Sequence, residues 1–426
     1  MTYWFALGEP MATSTDRIFS LDMIRGVAVM GIFSVNIIAF AMIEAAYFNP
    51  PAYGGWHGAD LGLWAANMLV IDGKMRTLFS MLFGASTLLV IERAEAAGLS
   101  GPKVHIRRML VLLGFGLAHF YLIWFGDILT LYAVSGLVAF LFRKLPVERL
   151  IALGAAFLLG GMLLFSGFIF SQYHADIAAH APGATRQTIK EWNEGLGAFF
   201  PSAAKIAQDK ALHLGPWLGL VRDNFRDWHE VFVNTLVFMP DTIGLMLLGM
   251  AGYRSGFLTG EWSDANYRRV TRIAIPIGLA ACAGIVAYDV SSNFYIIGVF
   301  AAFVVLATPF ITVMAFGYAA LIILLSRRRG WLAQRIAAAG RCAFTNYLGT
   351  SLIATFIFYG WGLGFYGSLS RWQAWLLVPI VWAIMLAWSK PWLERFNYGP
   401  LEWAWRSLAR GKLQPMRRKR PTPLPA

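Results

Sequence analysis

Long runs of apolar residues separated by short polar connections dominate this chain. Each run is close to the roughly 20 residues that an α-helix needs to cross a bilayer. About ten runs can be delimited, at residues 18–43, 60–92, 109–125, 128–142, 147–170, 230–253, 270–289, 293–325, 341–360 and 373–390. The pattern predicts an all-α, polytopic membrane protein with about ten transmembrane helices.

Basic residues collect in every second connection between these runs. The groups are Lys103, Arg107 and Arg108; Arg143, Lys144 and Arg149; Arg254, Arg268, Arg269 and Arg272; Arg327, Arg328, Arg329, Arg335 and Arg341; and the residues from Lys390 to Arg420. Because cytosolic loops of membrane proteins are enriched in Lys and Arg, this alternation predicts that both termini are cytosolic.

Composition agrees with a membrane location, since 58% of the residues are hydrophobic. The same loop pattern explains the net charge of +13, so we expect membrane lipids rather than nucleic acid as partners. We expect a cytosolic N-terminal segment at 1–17, a single transmembrane domain at 18–395 and a basic cytosolic tail at 396–426, in which residues 417–420 would attract anionic lipids.

The longest polar segment, an outer loop at about 171–229, interrupts the predicted domain. Residues 192–210 mix aromatic and charged side chains, which predicts an amphipathic helix that lies on the membrane or caps a cavity. The loop holds His174, His180, His213 and His229, but their spacing is irregular, so we predict no metal site.

Asp22 and Arg25 lie at the start of the first apolar run, and Asn36 follows Arg25 by about three helical turns. Arg25 and Asn36 therefore share one face of a helix that enters the membrane. Polar side chains at this depth are costly in contact with lipid, so the face is expected to line a protein-enclosed or water-filled site.

The second apolar run is interrupted by the polar residues 72–76 (DGKMR). One interpretation is a broken or re-entrant helix that lines a cavity, where irregular backbone is tolerated at depth. The other is that residues 60–71 lie flat at the interface and the span begins near Thr77. Both place Lys74 and Arg76 as a positive patch near the outer half of the membrane.

The first outer connection contains His57 three residues before Asp60. A carboxylate can orient an imidazole and raise its basicity, which is the arrangement that general base catalysis requires. The alternative is that Asp60 caps the following helix and His57 is only an interfacial residue.

Three further polar residues fall in or beside apolar runs. His119 would either relay protons or hydrogen-bond to a neighbouring helix, and Asp127 would cap the helix after it. Asp241 shares a helix face with Glu230 and Asn234, and an acid near the midplane is a functional candidate. It would equally serve as an ion-pair partner of Arg76 or Lys74.

Five segments together resemble the YeiB-like family of bacterial inner-membrane proteins, which carry the domain of unknown function 418. They are residues 21–26 (LDMIRG), 77–85 (TLFSMLFGA), His119 with 124–129 (WFGDIL), 340–347 (GRCAFTNY, which includes Asn346) and 399–406 (GPLEWAWR). The resemblance implies a multi-pass protein of the bacterial inner membrane, and the family is described as possibly involved in transport.

The opening motif is also similar to that of transmembrane acyltransferases, including the heparan glucosaminide acetyltransferase. This resemblance implies a ten-helix core that moves an acyl group from cytosolic acyl-CoA, acetyl-CoA above all, to a periplasmic glycan or another small acceptor. A histidine is the acid/base group in those enzymes. Here Asn36 occupies one of the expected histidine positions, and the role is carried over to His57 in the sequence Trp56-His57-Gly58.

The resulting hypothesis assigns His57 as the base, Asp60 as its partner and Asn36 as a donor to the oxyanion. The predicted substrate and cofactor-binding residues are Asp22, Arg25, Lys74, Arg76, His119, Asp127, Asp241 and Asn346.

Two alternatives stay open: a transporter or exporter of a small anionic solute, which would use Asp241, His119 and the Lys74/Arg76 patch, and a catalytically inactive membrane scaffold. No metal is expected. The small residues Gly154, Gly160 and Gly161 would permit a homodimer.

Overall fold

The computed structural model describes residues 18–418, and the regular structure there is helical. The predicted segment 1–17 and the tail residues from Lys419 onward lie outside the described residues. The α-helices are α1 Phe19–Ala41, α2 Ala45–Phe48, α3 Gly58–Val70, α4 Lys74–Ala96, α5 Gly101–Leu122, α6 Leu129–Ala139, α7 Val147–Ala179, α8 Arg186–Glu194, α9 Ala203–His213, α10 Trp217–Arg226, α11 Glu230–Arg254, α12 Asp264–Ser291, α13 Ile296–Phe300, α14 Ala307–Ser326, α15 Trp331–Arg341, α16 Ala343–Phe358, α17 Arg371–Trp375, α18 Leu377–Arg395 and α19 Pro400–Arg410.

Shorter helical turns connect some of these elements: 3₁₀ turns at Pro50–Ala52, Phe140–Phe142 and Leu196–Phe199, and a π-helix at Ala301–Leu306. The π-helix joins α13 to α14 without a break, so the two helices form one long segment.

Within residues 18–418, seven helical segments are long and apolar enough to cross a membrane. They are Phe19–Ala41, Gly58–Ala96, Val147–Ala179, Glu230–Arg254, Asp264–Ser291, Ile296–Ser326 and Arg371–Arg395. Shorter apolar helices occupy Leu129–Phe142 and Ala343–Phe358. Every predicted run coincides with one or more helices, and the prediction of an all-α polytopic membrane protein is confirmed.

The second apolar run is broken where its sequence turns polar. Helix α3 ends at Val70 and α4 begins at Lys74. Between them Gly73 has a φ of +73°, in the left-handed region that favours glycine. The break therefore has a local cause, and it places Lys74 and Arg76 in the first turn of a new helix.

The predicted outer loop is largely helical, because α7 continues to Ala179 and α8, α9 and α10 follow. The prediction of one amphipathic helix across 192–210 is wrong: Gly195 ends α8, and a 3₁₀ turn separates it from α9. Helix α9 docks on the loop after α16, where Tyr366 donates to Asp209 at 2.7 Å and stacks on His213.

The basic connections meet at the end of the bundle where α1 begins. The guanidinium of Arg254 donates to the backbone carbonyl of Arg143 at 2.5 Å. In the turn that follows α11, the carbonyl of Leu258 accepts from Ser20 of α1, and Arg327 donates to the same turn. Connections that are far apart in the chain thus present their positive charges on one face, as the alternation predicted.

Helices α1 and α15 touch through backbone at two glycines. A Cβ added to Gly340 would lie 1.9 Å from the carbonyl oxygen of Asp22, and one added to Gly26 would lie 2.1 Å from that of Ile336. No side chain fits at such distances. The glycines of the LDMIRG and GRCAFTNY motifs therefore allow the backbones of α1 and α15 to approach this closely.

Two of the small residues considered for a subunit contact are used inside the chain. Gly154 and Gly161 face α11, with the nearest atoms in Gly244 and Asp241. Gly160 has no heavy atom within 4 Å of an added Cβ and faces outward. The homodimer stays a prediction, and of these three glycines only Gly160 offers an open surface for it.

Candidate functional site

Two cavities lie within the helix bundle. The first, of about 330 Å³, is called the arginine cavity and is lined by Asp22, Arg25, Ser86, Arg93, Arg108, Tyr132, Arg341, Glu402, Trp405, Arg406 and Arg410, among others. The second, of about 540 Å³, is called the carboxylate cavity and is lined by Asn36, Glu44, Tyr47, Asp72, Arg76, Asp127, Asn234 and Asp241 together with several phenylalanines.

The cavities occupy opposite ends of the same helices. On α1, Arg25 lines the arginine cavity and Asn36 lines the carboxylate cavity. On α4, which runs the other way, Arg93 lines the first and Arg76 lines the second. The arginine cavity is therefore at the end where the basic connections meet.

Six arginines and two carboxylates, Asp22 and Glu402, line the arginine cavity. Arg25 is held by the Asp22 carboxylate at 2.9 Å and by the Ser86 hydroxyl at 3.1 Å. The predicted Asp22–Arg25 pair thus forms and lies in a cavity wall. The excess of positive charge makes the cavity suited to an anionic ligand.

Arg108 is the most informative of these arginines. Its guanidinium lies 4.4 Å above the ring of Trp405, whose indole N–H donates to the Arg108 carbonyl at 2.8 Å. It makes no ion pair with a carboxylate in residues 18–418, and the charges acting on it are those of Arg25, Arg406 and Arg410. A bound anion would relieve this repulsion, and planar guanidinium groups suit phosphate.

Glu402 links the two C-terminal motifs. Its carboxylate accepts from the backbone N–H of Phe344 at 2.7 Å and of Thr345 at 3.0 Å, and from the Thr345 hydroxyl at 2.6 Å. It therefore caps the N-terminus of α16, which favours a negative charge. Burial raises the pKa of Glu402, and these hydrogen bonds oppose that shift. The cap therefore fixes the position of Phe344 in the wall of the arginine cavity.

His119 and Asp127 form a buried pair between the cavities. Nδ1 of His119 lies 2.9 Å from Oδ1 of Asp127, and the other carboxylate oxygen accepts from the backbone N–H of Thr130 at 2.8 Å. Because an ionised carboxylate can only accept, Nδ1 carries the proton in the neutral imidazole, and Nε2 of that form has a lone pair. Nε2 is buried and has no hydrogen-bond partner in residues 18–418.

The two cavities meet beside this pair. Ile32, Ile128 and Tyr347 line both cavities. The rings of Tyr347 and His119 are 5.5 Å apart, and Asp127 itself lines the carboxylate cavity. The His119 imidazole, whose Nε2 has no partner in the described residues, therefore lies next to the boundary between the arginine cavity and the carboxylate cavity.

The carboxylate cavity contains an ion pair across two helices. The guanidinium of Arg76 on α4 lies 2.7 Å from the carboxylate of Asp241 on α11. Of the two ion-pair partners that the sequence offered for Asp241, the structure thus selects Arg76. Nearby, the Tyr47 hydroxyl donates to the Asp72 carboxylate.

Besides His119, two predicted binding residues line neither cavity, Lys74 and Asn346. Lys74 is fully buried, and its ammonium group donates to the carbonyl of Met68 at 2.5 Å. Asn346 donates to the Ala339 carbonyl and accepts from the Trp388 indole, both at 3.0 Å. The polar groups of Lys74 and Asn346 therefore make hydrogen bonds within the protein, and the spacing of residues in the sequence does not reveal such contacts.

His57 and Asp60 are not paired through their side chains. His57 is exposed and lies against Trp56, with ring centroids 4.1 Å apart. The Asp60 carboxylate accepts from the backbone N–H of Trp372 at 2.8 Å, in the first turn of α17. The Asp60 carboxylate therefore caps α17 and does not contact the His57 side chain, so the expected His57–Asp60 contact is wrong. Neither residue lines the arginine cavity or the carboxylate cavity. The catalytic role that the sequence suggests for His57 is untested by this geometry, and it competes with the assignment of the base to His119 below.

Sequence reasoning missed part of the arginine cavity. Arg108 was counted only as a loop charge, Trp405 entered only as part of the GPLEWAWR segment, and Arg93 was not singled out. The signal that pointed to the cavity was the resemblance, because residues from the LDMIRG, TLFSMLFGA, GRCAFTNY and GPLEWAWR segments all line it.

Comparison with known proteins agrees with this resemblance. Residues 252–412 match the family described as "Protein of unknown function (DUF418)". The chain is 32% identical to the uncharacterized protein YeiB of Escherichia coli (strain K12), over 92% of this chain and 96% of that protein. It is 30% identical to the uncharacterized protein YxaH of Bacillus subtilis (strain 168), over 96% of this chain and 98% of that protein.

Proposed function

The chain belongs to the DUF418 family of YeiB and YxaH, and from that premise and the geometry of its two cavities we propose that it is a bacterial plasma-membrane acyltransferase. It takes an acyl group from acyl-CoA in the arginine cavity and transfers it to an acceptor in the carboxylate cavity. A periplasmic glycan or another small molecule is the expected acceptor.

One observation carries this proposal: two cavities of opposite charge meet at Tyr347, next to the buried His119–Asp127 pair. Transfer across a membrane requires a donor site on one side, an acceptor site on the other and a reactive group between them. The helix directions and the basic connections support a cytosolic position for the arginine cavity.

The arginine cavity suits the phosphates of CoA. Arg108 lies over Trp405 without a carboxylate partner in the described chain, and Arg406 and Arg410 line the same cavity. Acetyl-CoA is the donor expected first, and the acyl end would extend toward Tyr347. No metal is required for this reaction.

The proposed chemistry is direct transfer. The acceptor oxygen or nitrogen attacks the thioester carbonyl carbon while Nε2 of His119 takes the acceptor's proton. The carbon–sulfur bond then breaks, and the same imidazole returns the proton to the CoA sulfur. Asp127 holds the tautomer and stabilises the imidazolium. Such base catalysis contributes typically a hundred- to ten-thousand-fold.

Binding of acetyl-CoA to the detergent-purified protein tests the donor site. At a hundred times its dissociation constant a ligand adds about 2.7 kcal/mol of stability, which is visible as a rise in Tm. The matched variants are Arg108→Gln, in the cavity wall, and Arg107→Gln, an exposed neighbour on the same helix. The shift is expected to be lost in the first and kept in the second.

A folded protein whose Tm does not respond to any CoA species would contradict the donor site, and so would a shift that Arg108→Gln leaves unchanged. The catalytic assignment is tested separately through His119.

A second candidate function is transport of a small anionic solute. The broken helix between α3 and α4 and the Arg76–Asp241 pair favour it, because transporters build binding sites at discontinuous helices. Because Lys74 is buried, Arg76 would be the residue of the Lys74/Arg76 patch that binds the anion. Uptake into proteoliposomes that follows a proton gradient and is lost in Asp241→Asn would support transport. A protein that binds neither CoA nor solute would be a scaffold.

A further inference from the structure

The carboxylate cavity is strongly negative. Four carboxylates line it, those of Glu44, Asp72, Asp127 and Asp241, against one guanidinium, that of Arg76. A concave wall of one charge sign raises the local concentration of ligands of the opposite sign. The charge of the wall therefore restricts what this cavity binds.

Three of the four carboxylates already have partners in the protein. Asp241 is paired with Arg76 at 2.7 Å, and Asp127 holds the imidazole described above. Asp72 accepts from the Tyr47 hydroxyl. These contacts fix the three groups in the cavity wall, and they leave Glu44 as the carboxylate available to a ligand.

Glu44 lies in the turn between α1 and α2 and lines the cavity. Within residues 18–418 its carboxylate makes no hydrogen bond or ion pair. Its side chain reaches solvent, and the crowding of the carboxylate by protein atoms, together with the negative charges of Glu230 and Asp209, raises its pKa. A carboxylate in such surroundings lacks a counter-ion, and a ligand cation would supply one.

Neutral groups that line the cavity also suit a cation. The rings of Phe48, Phe199 and Phe300 are clustered, with Phe48 4.7 Å from Phe300 and 5.7 Å from Phe199. All three line the cavity. Aromatic faces attract ammonium groups. Asn36 lines the same cavity and has an amide available for a hydroxyl of the ligand.

We propose that the carboxylate cavity binds a ligand that carries a protonated primary amine, and that Glu44 is its specificity-determining residue. The inference rests on the proposed function, in which this ligand is the acyl acceptor: the bound ammonium first loses one proton to solvent, its nitrogen then attacks, and Nε2 of His119 takes the second proton as described above. It concerns binding alone, so it can be tested in the absence of transfer. An amino sugar and an ethanolamine headgroup share the required chemistry.

The test compares two probes of nearly equal shape, 2-phenylethylamine and 2-phenylethanol, by calorimetry with the detergent-purified protein. The expected result is at least tenfold tighter binding of the amine to the unmodified chain. Glu44→Gln is expected to remove this preference while it keeps binding of the alcohol. Glu148→Gln, which changes an exposed residue outside both cavity linings, is the control and should keep the preference.

Glucosamine against glucose, and ethanolamine against ethylene glycol, then distinguish the two sources of the amine. Equal affinity for amine and alcohol would overturn the proposal, as would a preference that survives Glu44→Gln or a failure of every amine to bind. The acetyl-CoA shift should be unchanged in Glu44→Gln. A missing CoA shift would instead contradict the donor site, so the two failures are distinguishable.

Discussion

The imidazole of His119 and the carboxylate of Asp127 are 2.9 Å apart, with side chains that are 1% and 0% exposed. They come from the end of α5 and the connection to α6, eight residues apart in the chain. The arrangement fixes one tautomer and leaves Nε2 without a partner in the described residues, and the imidazole ring lies 5.5 Å from the ring of Tyr347. A buried imidazole held in this way is organised for proton transfer.

Replacing Asp127 by Asn is expected to lower acyl transfer by a hundred-fold or more, because an amide favours the tautomer with the proton on Nε2. The acetyl-CoA thermal shift should be retained, since Asp127 does not line the arginine cavity. Transfer and binding are measured on the same preparation. Full activity in a folded Asp127→Asn protein would remove Asp127 from its positioning role.

Replacing Glu402 by Ala is expected to destabilise the protein by about 1–3 kcal/mol, because it leaves the first N–H groups of α16 without an acceptor. The exposed Glu394→Ala is the control and should change stability by less than about 0.5 kcal/mol. Thermal unfolding in one detergent compares the two. Equal Tm values would show that the cap contributes nothing.

A methyl group at Gly340 would collide with the carbonyl of Asp22, so Gly340→Ala should separate α1 from α15 at a cost of about 1–3 kcal/mol. Gly349, on α16, has no heavy atom within 4 Å of an added Cβ. Gly349→Ala should be neutral or stabilising, because alanine is the better helix former. The prediction fails if both variants unfold at the same temperature.

Arg76→Gln and Asp241→Asn should each lower stability, and the double variant should recover part of the loss. The expected coupling energy is about 0.5–1 kcal/mol, at the low end for contacting residues, because the Arg76 side chain is 36% exposed and solvent screens the pair. A double-mutant cycle on Tm measures it. Additive effects would mean that the two charges do not stabilise one another.

Binding of 2-phenylethylamine should strengthen as the pH rises through the raised pKa of Glu44. A cationic ligand favours the ionised carboxylate, and the amine stays protonated well above neutral pH, as lysine does. The neighbouring Glu230 and Asp209 are also carboxylates, and their ionisation acts in the same direction. Glu44→Gln should flatten the profile above the ordinary glutamate pKa of 4.5. A profile that Glu44→Gln does not alter would assign the titration to another group.

The transmembrane helices were predictable because apolar runs and loop charges are local signals. The break at residues 72–76 was visible for the same reason, since a polar stretch that contains Gly73 interrupts an apolar run. The glycines at 26 and 340 carried the resemblance, but the sequence did not show that their helices touch.

The roles of individual polar side chains were not predictable, because they depend on contacts between distant segments. Asp60 is three residues from His57, yet its carboxylate binds the backbone of Trp372. Their spacing likewise suggested that Lys74 and Arg76 form one positive patch. In the structure the buried Lys74 donates to the carbonyl of Met68, and Arg76 forms an ion pair with Asp241.

Release of CoA thiol from acetyl-CoA, measured with the detergent-purified protein and an amine or hydroxyl acceptor, tests the acyl transfer most directly. We predict release by the unmodified chain, a fall of about a hundred- to ten-thousand-fold in His119→Asn with an unchanged acetyl-CoA thermal shift, and near-normal release in His57→Ala. Release that survives in folded His119→Asn and disappears in His57→Ala would contradict the assignment of His119, and absence of release from the unmodified chain would contradict the transferase itself.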